Sequence, residues 1–362
     1  MTIADPAKAH VDEALDVLRG AMRERGVDAM LVTYPANVRY LTGFSSPEDA
    51  TLLVLPDAAV MFTDGRYTAQ AAEEALVPYE IVVGADADAR LAELAGGLRL
   101  GVEAEHVTLK RNAKLTELLG AAPVPLEGLV AEQRLVKRPH EVDMLREAAR
   151  ITDAAFAAVL EFVREGVTEA EVALELERAM RLAGADGPGF DTIVASGVRG
   201  AMPHGTASQK RIGRGELVTM DFGAAFRGYH ADMTRTVAVG ELGPEERRMY
   251  EAVLEAQEAA VAAVAPGKGG RELDAVARDA LARNGLAEAF AHSLGHGTGL
   301  EVHEGPRLSQ RSEDVLRPGM VVTVEPGVYV PGFTGLRIED LVLVTEDGHE
   351  VLSRSPKHLI AL

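Results

Sequence analysis

The sequence predicts two domains: an α/β unit over residues 1–130, a joint at 131–140, and an α+β unit over 141–362 built from two similar halves. Three observations predict this. Helical and strand spacing alternate through the first third of the chain, as in units where helices cover a sheet. A charged stretch ending in Pro139 interrupts that pattern, where a domain joint is expected. Beyond it, a helix, a histidine loop and two acid-bearing strands occur twice at a nearly constant offset. A chain of 362 residues also exceeds what one typical core accommodates.

In the first unit, Val11, Leu15, Leu18 and Met22 recur at helical spacing over 11–25, and Gly26 stops the helix. Residues 28–33 read as an apolar strand, followed by a turn marked by Pro35 and Asn37. Strands are expected at 51–55 and 59–62, with Thr63-Asp64-Gly65 as a tight connection. A helix over 67–75, a strand over 79–83 and a further α/β segment through Leu119 complete the unit. Gly101-Val102-Glu103 is too little to read as a nucleotide-binding loop. No catalytic cluster stands out here.

Pro139 suits the first position of a long helix with Met144, Ala148, Ile151, Ala155 and Val159 on one stripe. The next helix starts at Thr168, with Glu171 three residues on as a capping box, and ends at Gly184. Gly166–Gly184 then matches Gly267–Gly285, and Phe190 matches Phe290. Pro203-His204-Gly205 matches Val302-His303-Glu304-Gly305, and the run from Gly215 to Asp221 matches that from Gly319 to Glu325. Gly228 to Asp232 matches Gly335 to Glu339, the offset drifting only from about 100 to 107. Asp221 is thereby equivalent to Glu325, and Asp232 to Glu339, across a pseudo-twofold axis that would bring all four acids together.

Residues 218–223, 230–236, 321–327 and 337–344 each read as a strand, and each carries an acid among apolar neighbours. Side chains alternate across a strand, so Thr219 and Asp221 share a face, as do Asp232, Thr234 and Thr236. Thr323 shares one with Glu325, and Arg337 with Glu339. As neighbours in one sheet, these strands would gather four carboxylates on one side. A buried ionised carboxylate must pair or neutralise, so four of them call for a cation. His292, His296 and His303 fall within twelve residues of one another, in and just after a glycine-rich run. Four carboxylates and an imidazole form an oxygen-rich donor set that favours Mn2+, with Co2+ or Zn2+ as the other candidates. Four acids exceed one divalent ion's need, so two metals bridged by acids are expected. Such a pair activates water and polarises a carbonyl or phosphoryl oxygen, with the remaining histidines facing substrate.

The chain has no cysteine, which excludes disulfide frameworks and thiolate metal sites. A formal charge of −19 argues against a nucleic-acid partner. Residues 1–20 lack a basic segment followed by an apolar core, and no run reaches membrane-spanning length, so a cytoplasmic protein without a membrane partner is expected.

Met202-Pro203-His204, Met220-Asp221-Phe222-Gly223, the run Tyr229 to Thr236, His292 to Gly297, Val302-His303-Glu304, Glu325-Pro326-Gly327 and Arg337-Ile338-Glu339-Asp340 resemble the Xaa-Pro peptidases. These are prolidase and aminopeptidase P, metallopeptidases with a pita-bread catalytic domain behind a creatinase-like α/β domain. The resemblance is most specific from Pro139 onward, and extends to residues 37–44 and 63–67 of the N-terminal unit. It implies that Asp221, Asp232, His296, Glu325 and Glu339 hold two metal ions, with Asp232 and Glu339 bridging. It implies that Glu325 shuttles the proton of the attacking water, and that His204, His292 and His303 contact substrate or intermediate. Arg337, on the face of Glu339, is placed to orient a carboxylate or a substrate terminus. No ligand position departs from the pattern, whereas a metal-free, creatinase-like relative would have lost several. A homodimer is expected as well, with loop 45–49 placed to cover a partner's site.

The substrate expected is a proline-containing di- or oligopeptide, with an Xaa-Pro dipeptidase slightly favoured over aminopeptidase P. Methionine aminopeptidase is a weaker reading, because such enzymes usually lack a separate unit like residues 1–130. A non-catalytic binding module and a two-metal phosphatase stand behind these. Intact ligand positions oppose the first, and the lack of a phosphate-binding cluster opposes the second.

Overall fold

The computed structural model describes residues 6–83 and 86–362. The first five residues of the stretch read for a leader lie outside the described residues. Two compact units, 1–134 and 135–362, make up the chain.

The first unit contains α1 (Pro6–Glu24), β1 (Ala29–Val32), α2 (Pro35–Thr42), β2 (Thr51–Val54), β3 (Ala59–Asp64), α3 (Thr68–Glu74), β4 (Tyr79–Val82), α4 (Ala87–Leu94), β5 (Leu100–Glu103), α5 (Leu109–Leu119), β6 (Val124–Leu126) and the short α6 (Ala131–Arg134). Its sheet runs β4-β3-β2-β1-β5-β6, with β1, β2 and β3 antiparallel and β4, β5 and β6 joining in parallel. Leu31, Leu53, Phe62, Val102 and Leu115 pack in its core. Two local expectations fail here. Pro35 and Asn37 lie in helix α2 rather than a turn, because a proline at the first helical position costs no hydrogen bond and Gly43 closes the helix at φ 74°. Thr63 and Asp64 continue strand β3 instead of forming a tight connection. Glu103 is buried at the end of β5, where it accepts from the backbone N–H groups of Thr33 (2.6 Å) and Tyr34 (2.7 Å) and from Asn37 Nδ2 (2.7 Å).

The second unit opens with α7 (Pro139–Val159) and α8 (Glu169–Leu182), whose N-cap Thr168 and Glu171 form the expected capping box. Then come β7 (Gly187–Pro188), β8 (Ile193–Ser196), β9 (Glu216–Phe222), β10 (Ala224–Phe226), β11 (Tyr229–His230) and β12 (Met233–Val239). The second half follows with α9 (Pro244–Ala263), α10 (Gly270–Arg283), β13 (Gly295–Gly297), β14 (Glu304–Leu308), β15 (Val321–Val324), β16 (Gly327–Val330), β17 (Thr334–Arg337), β18 (Asp340–Val344) and β19 (His349–Val351). The internal repeat is visible in the topology. An antiparallel β8-β9-β12 sheet with hairpin β10-β11 corresponds to antiparallel β13-β15-β18 with hairpin β16-β17.

Each half buries one face of its strands under two helices. Val218, Met220 and Phe222 pack among Ile151, Phe156, Leu176 and Met180. Val322, Val324 and Ile338 pack among Val253, Leu273 and Leu281. Burying such side chains contributes about 1.5–3 kcal/mol each. Of the stripe expected on α7, Met144 is only partly buried, and Leu145 takes its place in the core. Among the described residues no helix is long and apolar enough to cross a membrane.

The expectation of four uninterrupted strands in one sheet is corrected in two respects. Only Asp221 lies inside a strand; Asp232, Glu325 and Glu339 occupy the breaks between β11 and β12, β15 and β16, and β17 and β18. A break lets the backbone turn its carboxylate inward while the following strand keeps its apolar face on the helices. The strands also belong to separate sheets in each half, and a hydrogen bond from Glu339 N to Thr234 O (3.1 Å) links the halves.

Candidate metal centre

Asp221, Asp232 and Glu339 converge where the two halves meet, with one carboxylate oxygen of each within 4.8 Å of the others. All three are buried. His296 Nε2 lies 3.2 Å from Glu325 Oε1 and 3.7 Å from Asp232 Oδ2, which joins the remaining two expected ligands to the cluster. His296 Nδ1 lies 3.1 Å from the Gly297 carbonyl, which leaves Nε2 as the ring atom turned toward the acids. The glycines on either side of His296 are dictated by close backbone approach. A Cβ at Gly295 would lie 2.0 Å from the Thr323 carbonyl oxygen, and one at Gly297 would lie 1.8 Å from that of Gly305.

Hydroxyls and one guanidinium hold the carboxylates. Thr234 Oγ1 donates to Glu339 Oε2 (2.7 Å) and accepts from Arg337 Nε (2.9 Å). Thr323 Oγ1 donates to Glu325 Oε1 at 3.0 Å. Arg337 is buried, donates through Nη2 to Asp221 Oδ2 at 2.5 Å, and places Nε 3.9 Å from Glu325 Oε2. Four acids thus face one guanidinium, so the cluster carries uncompensated negative charge when ionised. Burial holds the Asp232 and Glu339 carboxyls well above their ordinary range, and the neighbouring acids push them further. For Glu325, burial pushes upward too, but His296, His292 and Arg337 outweigh it and bring the carboxyl down to about 2.

These residues fit divalent cations. Among the described residues neither Asp221 Oδ1 nor Glu339 Oε1 has a hydrogen-bond partner, although both are buried. An orphaned buried carboxylate oxygen is costly unless a cation ligates it. Oxygen donors with one imidazole match hard or borderline divalent ions.

The other expected residues surround this centre. His204 and His303 are exposed, whereas His292 is partly buried. The His303 ring lies 4.4 Å from that of His296, centroid to centroid. The part of the His303 ring turned toward His296 is desolvated, which depresses its protonation, and His296 beside it adds to the effect. Burial likewise depresses His292; Glu325 opposes this, while Arg337 and His204 reinforce it.

Tyr329 on β16 had no signal in the sequence beyond an aromatic in an apolar strand. Its hydroxyl accepts from Arg337 Nη1 (2.7 Å) and lies 2.9 Å from His292 Nε2. Because Arg337 can only donate, the hydroxyl proton points to His292 Nε2, and Nδ1–H of His292 donates to the Ser293 carbonyl at 2.8 Å. Arg235 and Asp340 lie within the quoted motifs, where the sequence assigns them no role. They alternate in parity with Thr234 and Glu339, face away from the acids, and pair in the interior at 2.7 Å, with Lys357 at 2.7 Å completing the group. Arg235 Nη1 also donates to the Glu339 carbonyl.

The fold and site together define a metal-dependent hydrolase whose centre is shared between two repeated halves. Residues 143–346 match Metallopeptidase family M24, and residues 15–136 match the Creatinase/Prolidase N-terminal domain. The chain belongs to this metallopeptidase family, with a creatinase-type N-terminal domain ahead of a pita-bread domain. It is 40% identical over 344 residues to an Xaa-Pro dipeptidase of Pyrococcus horikoshii, covering 94% of this chain and 96% of the relative. An Xaa-Pro dipeptidase from Bacillus anthracis superposes with a TM-score of 0.94 at 44% identity, covering 97% and 100% of the two chains. An X-Pro aminopeptidase from Thermotoga maritima does so with a TM-score of 0.88 at 38% identity, covering 94% and 99%.

Proposed function

We propose that this protein is an Xaa-Pro dipeptidase that hydrolyses the bond preceding proline in Xaa-Pro dipeptides. The observation that carries the reading is the convergence of Asp221, Asp232 and Glu339 beside His296 and Glu325, with two buried carboxylate oxygens that have no hydrogen-bond partner among the described residues. Asp221, Asp232, His296, Glu325 and Glu339 would hold two divalent ions, Mn2+ being favoured. When bound, such a pair makes water nucleophilic at neutral pH and polarises the scissile carbonyl.

The chain's own residues supply the rest. Glu325, ionised because His296, His292 and Arg337 offset its burial, accepts the proton of the attacking water and passes it to the departing proline nitrogen. Arg337 keeps Asp221 in place while Thr234 orients Glu339. His204, His292 and His303 contact the substrate or the intermediate, with His292 held in place by Tyr329. Proline's tertiary amide has no N–H to hydrogen-bond, so a site that acts on the carbonyl suits it. A cytoplasmic homodimer belongs to the same proposal, with loop 45–49 covering the partner's site. Deleting that loop is expected to alter kinetics or assembly, and no change in either would refute its role.

The similarity to an X-Pro aminopeptidase supports a second reading, in which longer peptides are cut at the same bond. Hydrolysis of an Xaa-Pro dipeptide and of the same peptide extended by one residue, with Mn2+ added, separates the two. Cleavage of the dipeptide alone is expected. Efficient cleavage of the longer peptide would establish the aminopeptidase, and cleavage of neither by metal-loaded protein would overturn both.

A further inference from the structure

Glu169 is the first residue of α8 and is fully buried. An acid at that position ordinarily faces solvent and complements the helix dipole. Here the carboxylate reaches away from its helix. Oε1 accepts from Ser196 N (2.8 Å) and Ser196 Oγ (2.9 Å), at the end of β8. Oε2 accepts from Arg199 Nε (2.9 Å), Ser208 N (3.2 Å) and Ser208 Oγ (2.6 Å). Five donors crowd the roughly four lone-pair sites of one carboxylate, and the only cation among them is Arg199.

Ser196 and Ser208 bound the loop that carries His204. Glu169 therefore staples both ends of that loop to one point. The helix start reinforces the staple, since Ala170 N donates to Ser208 O at 2.9 Å and Glu169 N to Lys210 O at 3.1 Å. Arg199, held by Glu169, spans the loop and donates through Nη2 to Thr206 O at 2.7 Å. The loop's other side rests on β17, where Thr334 Oγ1 donates to Gly197 O (2.9 Å) and a Cβ on Gly200 would lie 2.6 Å from Gly335 O. β17 and a backbone bridge between Ile193 and Thr206 hold the loop's flank and its far end, and Glu169 ties its two base residues together.

We propose that Glu169 is a positioning residue, setting the place of the exposed His204 by fixing the base of the loop formed by residues 197–207. The proposal rests on the reading that His204 contacts substrate. Glu169→Gln keeps the shape but turns an amide NH2 toward groups that can only donate or prefer to donate.

The test is a double-mutant cycle with His204→Ala on an Xaa-Pro dipeptide with Mn2+, together with hydrogen exchange of the loop amides. In the parent, Glu169→Gln is expected to lower kcat/KM by about tenfold or more, since small misplacements of contacting groups are costly. In the His204→Ala background the loss should be under about twofold, with exchange faster at 197–208 and Mn2+ affinity by calorimetry unchanged. Equal losses in both backgrounds would overturn the proposal. Should His204→Ala itself be harmless, the reading of His204 falls, and loop exchange decides the staple: unchanged protection in Glu169→Gln refutes it. If that variant does not fold, Ser208→Ala removes one hydroxyl donor and should shift both readouts the same way, and no shift would count against the staple.

Discussion

Glu339→Gln tests the electrostatic account of the metal centre most directly. In the metal-free protein Glu339 is buried beside Glu325 and Asp221, with Oε1 unpartnered, and its carboxyl is held well above its ordinary range. A carboxyl with a raised folded pKa binds more protons in the folded than in the unfolded state above about pH 4.5. Stability from this group is therefore complete below its unfolded pKa and is lost as pH rises toward the folded value. Each such group lowers stability by up to about 1.4 kcal/mol per pH unit within that window. Asp232 behaves likewise. Glu325 acts in the opposite sense, losing stabilisation as pH falls from about 4.5 toward 2. Metal-free protein should thus be less stable at pH 8 than at pH 5, and Glu339→Gln should flatten that decline and be the more stable form at pH 8. A cation at one hundred times its Kd stabilises the wild type by about 2.7 kcal/mol. For a cooperative unit of this size that amounts to roughly 5–10 °C in Tm. Differential scanning calorimetry at pH 5 and pH 8, with chelator or with Mn2+, reads all of these effects. A wild-type Tm indifferent to Mn2+, Co2+ and Zn2+ alike, or a Glu339→Gln protein that keeps the full metal-induced shift, would refute the reasoning.

Glu325→Gln is expected to lower kcat by about 10²–10⁴-fold, as loss of a general base does, and steady-state kinetics at saturating metal would detect this. Among the described residues, Tyr329→Phe leaves Arg337 Nη1 with only the Pro203 carbonyl at 3.4 Å, so a loss of about 1–3 kcal/mol is expected in urea unfolding. Glu103→Gln turns an amide toward the N–H groups of Thr33 and Tyr34 and should cost the first unit about 1–3 kcal/mol, measured by denaturant titration, with metal affinity unchanged.

Period-two parity in the sequence was enough to place Thr219, Asp221, Thr234 and Thr323 on one face and Val218, Met220, Val322 and Val324 on the other, and the packing follows it. It was legible because a half-buried strand records its faces directly in its residues. The strand breaks at Asp232 and Glu339 were not legible from composition, whereas at Glu325 the following Pro326-Gly327 marks where pairing stops. Helix α2 was hidden for a related reason: Pro and Asn punctuate turns and open helices alike.

By itself the sequence determined the repeat, the donor types and the need for a cation, because these depend on which residues recur and on the cost of burying charge. Only the tertiary structure decided which groups serve the acids. Thr234 of one half holds Glu339 of the other, and Arg337 of the second half holds Asp221 of the first. Tyr329 settles the tautomer of His292, and Glu169 gathers Ser196, Arg199 and Ser208 around one carboxylate. Such contacts join residues far apart in the chain, and their geometry comes from packing two helix-covered sheets against each other, which local spacing does not encode.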